Sequence, residues 1–167
     1  MGQIRKHYKD ILEVFMNKVI AIGSDHAGFE LKSQLIPFLK KKGFRVMDVG
    51  TYNKKSVDYP DFAKKVCLKI INKEAQKGII ICGSGIGASI TANKIKGIRA
   101  GVCHETYSAH QGVEHDDMNV ICIGARVVGV ELAKEIVMAF IKAKFLYKEK
   151  YIRRLNKIKK LEEEVWT

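Results

Sequence analysis

The sequence predicts an α/β fold: a parallel β-sheet with helices packed on both faces. Two observations carry this. Short β-branched runs alternate with amphipathic segments along most of the 167 residues. The runs are almost continuously apolar instead of alternating, the pattern of strands buried on both sides.

Taken in order, the strands are expected at "KVIAIG" (18–23), "FRVMDVG" (44–50), "GIIIC" (78–82), "IRAGVC" (98–103) and "NVICIG" (119–124). Helical segments are expected at 29–43, 61–74, 87–95, 105–113 and 129–145, followed by a basic helix. Leu31, Leu35, Phe38 and Leu39 recur at helical spacing, as do Phe62, Val66 and Ile70. Pro37 should kink the first of these helices or shift its pairing. Crossovers between parallel strands should be right-handed. No repeat or linker is visible, so 16–167 should form a single domain, preceded by a helical N-terminal extension over 1–15.

Composition narrows the class. Hydrophobic residues make up 47% of the chain, which argues against disorder. No apolar run reaches the 18 or so residues of a membrane span, and the N-terminus lacks a signal-peptide core. The cysteines at 67, 82, 103 and 122 form no C-x-x-C pair and no metal-finger spacing, which fits a reducing cytoplasm. The net charge of +12 is uneven: residues 142–160 hold nine Lys or Arg against one Glu. With no nucleic-acid motif beside that charge, the helix is read as a solvated face or as a holder of an anionic substrate.

Ligands of an open parallel sheet bind beyond the carboxyl ends of its strands. After the first run come Asp25 and His26, after the third Cys82 with "GSGIG", after the fourth His104, and after the fifth Arg126. His115 is expected in a polar turn, "EHDDMN", converging on the same edge. His104 and His110 match no motif and are read as structural.

Cys82 is the unusual member. Gly83, Gly85 and Gly87 follow it and can expose backbone N–H groups as an anion nest, and a helix begins near Gly87. Both favour a thiolate. A cysteine-phosphatase loop would need Arg at the sixth position after the cysteine, where Ala88 stands. A Walker loop would need G-K-[ST], and a dinucleotide fingerprint would need G-x-G-x-x-G after the first strand. Neither is present. A thiolate acting as general base remains: it would take a carbon-bound proton beside a carbonyl while N–H groups hold the enediolate oxygen. The alternative is a small buried residue filling a strand end.

These pieces resemble the ribose-5-phosphate isomerase B family, with its galactose-6-phosphate and allose-6-phosphate isomerase relatives. The resemblance lies in "IGSDHAGFELK", "VDYPDFA", "GIIICGSGIGASITANKIKGIRAGVC", "SAHQGVEHDDMNV" and "GARVVGVELAKEIV", in family order across about 20–140. It implies a Rossmann-like, doubly wound three-layer sandwich with a five-stranded parallel sheet. It implies an aldose–ketose phosphate isomerase without metal or organic cofactor. By this resemblance Cys82 is the proton-abstracting base and Ser84 assists the enediolate proton transfers. Gly83, Gly85, Ile86 and Gly87 form the oxyanion loop, and His115 opens the sugar ring. Asp25, His26 and Asp116 contact the sugar phosphate, Arg126 binds phosphate, and a homodimer or homotetramer completes the site at a dimer interface.

The C-terminus departs from the family pattern. Where relatives carry "GGRH" and then a second arginine, "YKEKYIRRL" places Lys150, Tyr151 and Arg154. Lysine is a point charge where arginine is a fork, so the phosphate end is altered. Ribose 5-phosphate is the first expected substrate, a hexose 6-phosphate the second. A non-catalytic sugar-phosphate-binding protein and a nucleic-acid-binding domain are the rivals.

Overall fold

Residues 18–164 are described here from a computed structural model. The expected helix over 1–15 lies outside them. The chain alternates β1 (Val19–Ser24), α1 (Phe29–Lys41), β2 (Arg45–Asp48), α2 (Tyr59–Ile71), β3 (Lys77–Cys82), α3 (Ile86–Ala92), β4 (Ala100–Val102), α4 (Thr106–Asp116), β5 (Val120–Gly124), α5 (Val130–Lys142) and α6 (Glu149–Leu161). Among the described residues, no helix is long and apolar enough to cross a membrane.

All five strands are parallel, in the order β2-β1-β3-β5-β4. Successive side chains on a strand face opposite ways, and here the two directions fill two cores. Ile20, Ile22, Ile79, Ile81, Ile121 and Ile123 meet α1, α4 and α5 on one face. Ala21, Ile80, Cys82, Val120 and Cys122 meet α2 and α3 on the other. Crossovers that move toward β4 (α2, α3) use the second face, and those that move back (α1, α4) use the first. One handedness throughout requires that assignment.

α1 runs through Pro37. Pro37 lies on the exposed face of that helix, where water can take the carbonyl that a proline N–H would have bonded. The basic helix starts only at Glu149; residues 143–148 are a non-helical connection after α5.

Among the described residues, two lysines, Lys32 and Lys77, are buried in the scaffold. Lys32, 1% exposed, pairs with Asp48 at 2.5 Å, joining α1 to the end of β2. Lys77 opens β3 and donates to Phe140 O at 2.5 Å and Ala143 O at 3.3 Å, while Lys18 donates to Ile141 O at 3.2 Å. Lys18 and Lys77 thus satisfy carbonyls that the end of α5 leaves open.

Burial, with the Lys18 charge adding to it, pushes Lys77 down to about 7 from an ordinary 10.5. Between those values the unfolded chain binds a proton that the folded chain lacks, so stability rises with pH across the window. Above about pH 9 the buried thiols act the other way, because burial raises Cys67 to about 12. The melting temperature should therefore climb from pH 7 to about 8.5. Calorimetry on Lys77→Met should show a flatter slope over that range; an unchanged slope would assign the effect to other groups.

Candidate active site

Neighbouring crossovers leave for opposite faces between β1 and β3, which opens a crevice at their carboxyl ends. Asp25 follows β1 and is 7% exposed. Its Oδ1 accepts the Gly28 N–H at 3.0 Å, and its own N–H donates to Ile81 O at 3.2 Å. Gly28 is dictated by close approach, since a Cβ there would stand 2.4 Å from Ile81 O.

Cys82 ends β3, facing α2 and α3, and is 4% exposed. The Gly85 N–H donates to its Sγ at 3.1 Å. That bond uses Gly85 at φ +81°, a left-handed conformation that favours glycine. Ser84 stands exposed at the tip of the turn, and its Oγ accepts the Ile86 N–H at 3.3 Å. Two N–H groups of the expected nest are thus engaged within the turn, on the thiol and on the serine hydroxyl.

Arg126 and Tyr59 wall the turn, and His26 and His104 brace the segments beside it. The Arg126 N–H donates to Gly83 O at 3.1 Å. Its guanidinium lies over Gly83, with a nitrogen 3.4 Å from where a Cβ would be. The Tyr59 ring lies against Gly87, where a Cβ would come within 2.5 Å of it. Nδ1 of His26 sits 3.2 Å from both the backbone N and the O of Val57, two residues before that tyrosine. His104 Nε2 accepts the Gly124 N–H at 3.0 Å and pins the end of β5 beside Cys82.

Asp25, His26, residues 82–87 and Arg126 therefore share one edge. His115, Asp116, Lys150 and Arg154 do not. His115 is in the last turn of α4, not in a loop, and α4 runs back toward the start of β5. Asp117, two residues on, is bound by Arg99 at 2.7 Å, just before β4 begins. Cys82 pairs in register with Gly124, at the far end of β5. The thiol and the imidazole of one chain thus belong to opposite ends of that strand, which is about 13 Å long at ~3.3 Å per residue. Lys150 and Arg154 lie on α6, one turn apart, beside Tyr151, which binds His115 at 2.8 Å. Asp116 lines a groove of about 750 Å³ along β4, with Arg99, Met118 and Leu161.

The other three cysteines are set apart by their thiols. Burial pushes Cys67 to about 12, burial and the Glu105 charge push Cys103 to about 11, and burial pushes Cys122 well above the ordinary range. Among the described residues, no group of three His, Cys, Asp or Glu is placed to hold a metal ion.

The profile of the Ribose/Galactose Isomerase family matches residues 20–158. The chain belongs to that family. It is an enzyme, a sugar-phosphate isomerase of the aldose–ketose type. Ribose-5-phosphate isomerase B of Escherichia coli is 48% identical over 128 residues, 77% of this chain and 86% of the relative. The D-erythrulose-4-phosphate isomerase of Pectobacterium atrosepticum is 44% identical over 128 residues, 75% of this chain and 84% of that one. The structure of Clostridium thermocellum ribose-5-phosphate isomerase B superposes with a TM-score of 0.85 at 47% identity, covering 87% of this isomerase and 97% of that chain.

Sequence reasoning on the isomerase passed over Tyr59. The residue stands in "VDYPDFA", but its approach to Gly87 depends on the path of residues 49–58, which no periodicity reveals. The signal available was an aromatic residue directly before a proline at a helix start, beyond the end of β2.

The thiols give a direct check. At pH 8 in the folded isomerase, iodoacetamide should leave Cys67, Cys103 and Cys122 unmodified, and the first alkylation should fall on Cys82. Peptide mapping that finds any of the other three modified first would contradict this description of the site.

Proposed function

We propose that this isomerase interconverts ribose 5-phosphate and ribulose 5-phosphate, with Cys82 as the base that moves the proton between C2 and C1. The observation that carries the reading is the Gly85 N–H directed at Cys82 Sγ in the β1–β3 crevice. A donated N–H favours negative charge on the sulfur. The thiolate takes the C2 proton of the open aldose and the C1 carbonyl oxygen becomes the enediolate oxygen; a proton passes from the C2 hydroxyl to that oxygen with the help of Ser84, and Cys82 returns its proton to C1, leaving the C2 ketone. Backbone N–H groups of the 83–87 turn and the Ser84 hydroxyl hold the developing oxyanion. Asp25 and His26 contact the sugar, and Arg126 supplies a fork for phosphate oxygens. The reaction asks for no metal or organic cofactor.

Ring opening precedes that step and needs a group that gives and takes protons near neutral pH. His115 has that chemistry, and in one chain it faces the wrong edge. We therefore assign the ring-opening histidine of each site to a second copy, which also brings Asp116, Lys150 and Arg154 to the sugar phosphate. A homodimer, alone or paired into a tetramer, follows as the working unit, in the cytoplasm. A six-carbon 6-phosphate is the second reading, and Lys150 favours it: a flexible point charge holds a phosphate less rigidly than an arginine fork.

Cys82→Ala should lose turnover about a thousandfold and still bind ribose 5-phosphate by calorimetry. Turnover at the wild-type rate in that variant would sink the base assignment. Assays on pentose 5-phosphates and hexose 6-phosphates rank the substrates; a hexose 6-phosphate with the higher kcat/KM would overturn the ribose reading.

A further inference from the structure

His115 has both ring nitrogens occupied inside one chain. Nδ1 lies 2.6 Å from the amide nitrogen of Gln111, one turn earlier on α4. Nε2 lies 2.8 Å from the Tyr151 hydroxyl on α6. The two rings are also stacked, with centroids 4.1 Å apart and planes 18° apart. Tyr151 is 5% exposed, and the Lys150 ammonium sits 4.9 Å from its ring centre.

The chemistry of these partners differs. The Gln111 amide can meet Nδ1 with its NH₂ or, turned over, with its oxygen, so it serves the ring in either tautomer. A phenol both donates and accepts. Tyr151 can therefore hold Nε2 whether that nitrogen carries a proton or has just given it away. A sugar hydroxyl arriving at Nε2 replaces one hydroxyl with another, so the exchange leaves no buried nitrogen unpaired. The stacked ring keeps the imidazole in plane meanwhile.

We propose that Tyr151 is the positioning residue of His115, fixing its ring plane by stacking and, by donating its hydroxyl proton to Nε2, keeping that nitrogen the unprotonated one of the neutral ring. The inference rests on the ring-opening reading above. In that step a proton leaves the anomeric hydroxyl, the bond from C1 to the ring oxygen breaks, and the ring oxygen gains a proton. The Nε2 lone pair of His115 takes the anomeric proton, the imidazolium so formed gives a proton from Nε2 to the ring oxygen, His115 ends as it began, and Tyr151 stays neutral throughout. The positive Lys150 beside the phenol ties this pair to the region assigned to phosphate.

Tyr151→Phe keeps the ring and removes only the hydroxyl. Nitrogen-15 NMR of the full-length enzyme reads the tautomer of His115 without reference to activity. In the wild type the Nδ1–H form should dominate; in Tyr151→Phe the two nitrogen shifts should move toward a mixture. With ribose 5-phosphate, kcat should fall about tenfold, a fraction of what losing a whole general acid costs, with KM little changed. Tyr151→His, which restores a group able to donate and accept, should recover part of the loss. Unchanged His115 shifts with unchanged kcat in Tyr151→Phe overturn the inference. A His115→Ala enzyme at the wild-type rate instead overturns ring opening by His115, and the two failures are thereby told apart.

Discussion

In an all-parallel sheet each helix must carry the chain back to the amino edge before the next strand can start. That return places the candidate site residues of this isomerase. Residues that follow a strand directly (Asp25 after β1, Cys82 to Gly87 after β3, Arg126 after β5) collect at the carboxyl edge. His115 closes α4 and is delivered to the amino edge, because β5 begins only at Val120. The β3–β5 register fixes the separation, since Cys82 lies opposite Gly124 and not near the start of β5. No side-chain rotation bridges a strand's length, and the proposed pairing of thiol and imidazole therefore calls on a second copy.

The packing around Cys82 serves that geometry. The layer it faces is built from small residues, Ala63, Cys67, Ala88 and Ala92, which bring α2 and α3 close to the sheet. Gly28, Gly87 and Gly124 leave no room for a Cβ against Ile81, Tyr59 and the Ser84 backbone. The turn is held from several sides by backbone, so its N–H groups are oriented before any ligand arrives. Such preorganisation is what stabilises charge that develops only during a reaction. The opposite face carries the large residues, Phe140, Ile136 and Leu35 among them, and anchors the sheet.

Most of this architecture was legible in the residues themselves. Continuous apolar runs such as "GIIIC" and "NVICIG" identify buried parallel strands, and all five fall within a few residues of their expected positions. The carboxyl-edge half of the site was equally legible, because it follows the strands in sequence. The amino-edge half was not. "EHDDMN" is polar and reads as a turn, yet its first residues complete α4, where His115 gains Gln111 as a partner one turn away. Tyr59 and Tyr151 escaped for a related reason. Their importance comes from contacts with residues 28 and 36 positions distant, and local periodicity carries no information on such pairs. Pro37 sits inside α1, whose other side buries Leu31, Leu35 and Leu39.

The account turns on one site being built from two chains. The direct measurement is subunit mixing: Cys82→Ala and His115→Ala enzymes, each inactive alone, are co-refolded or co-expressed in equal amounts and assayed on ribose 5-phosphate. Half of randomly formed dimers are mixed, and each mixed dimer holds one site with both groups intact, so turnover should return to about a quarter of wild type. Turnover that stays at the level of the separate variants, with mixed dimers demonstrated by mass spectrometry, would contradict the shared site.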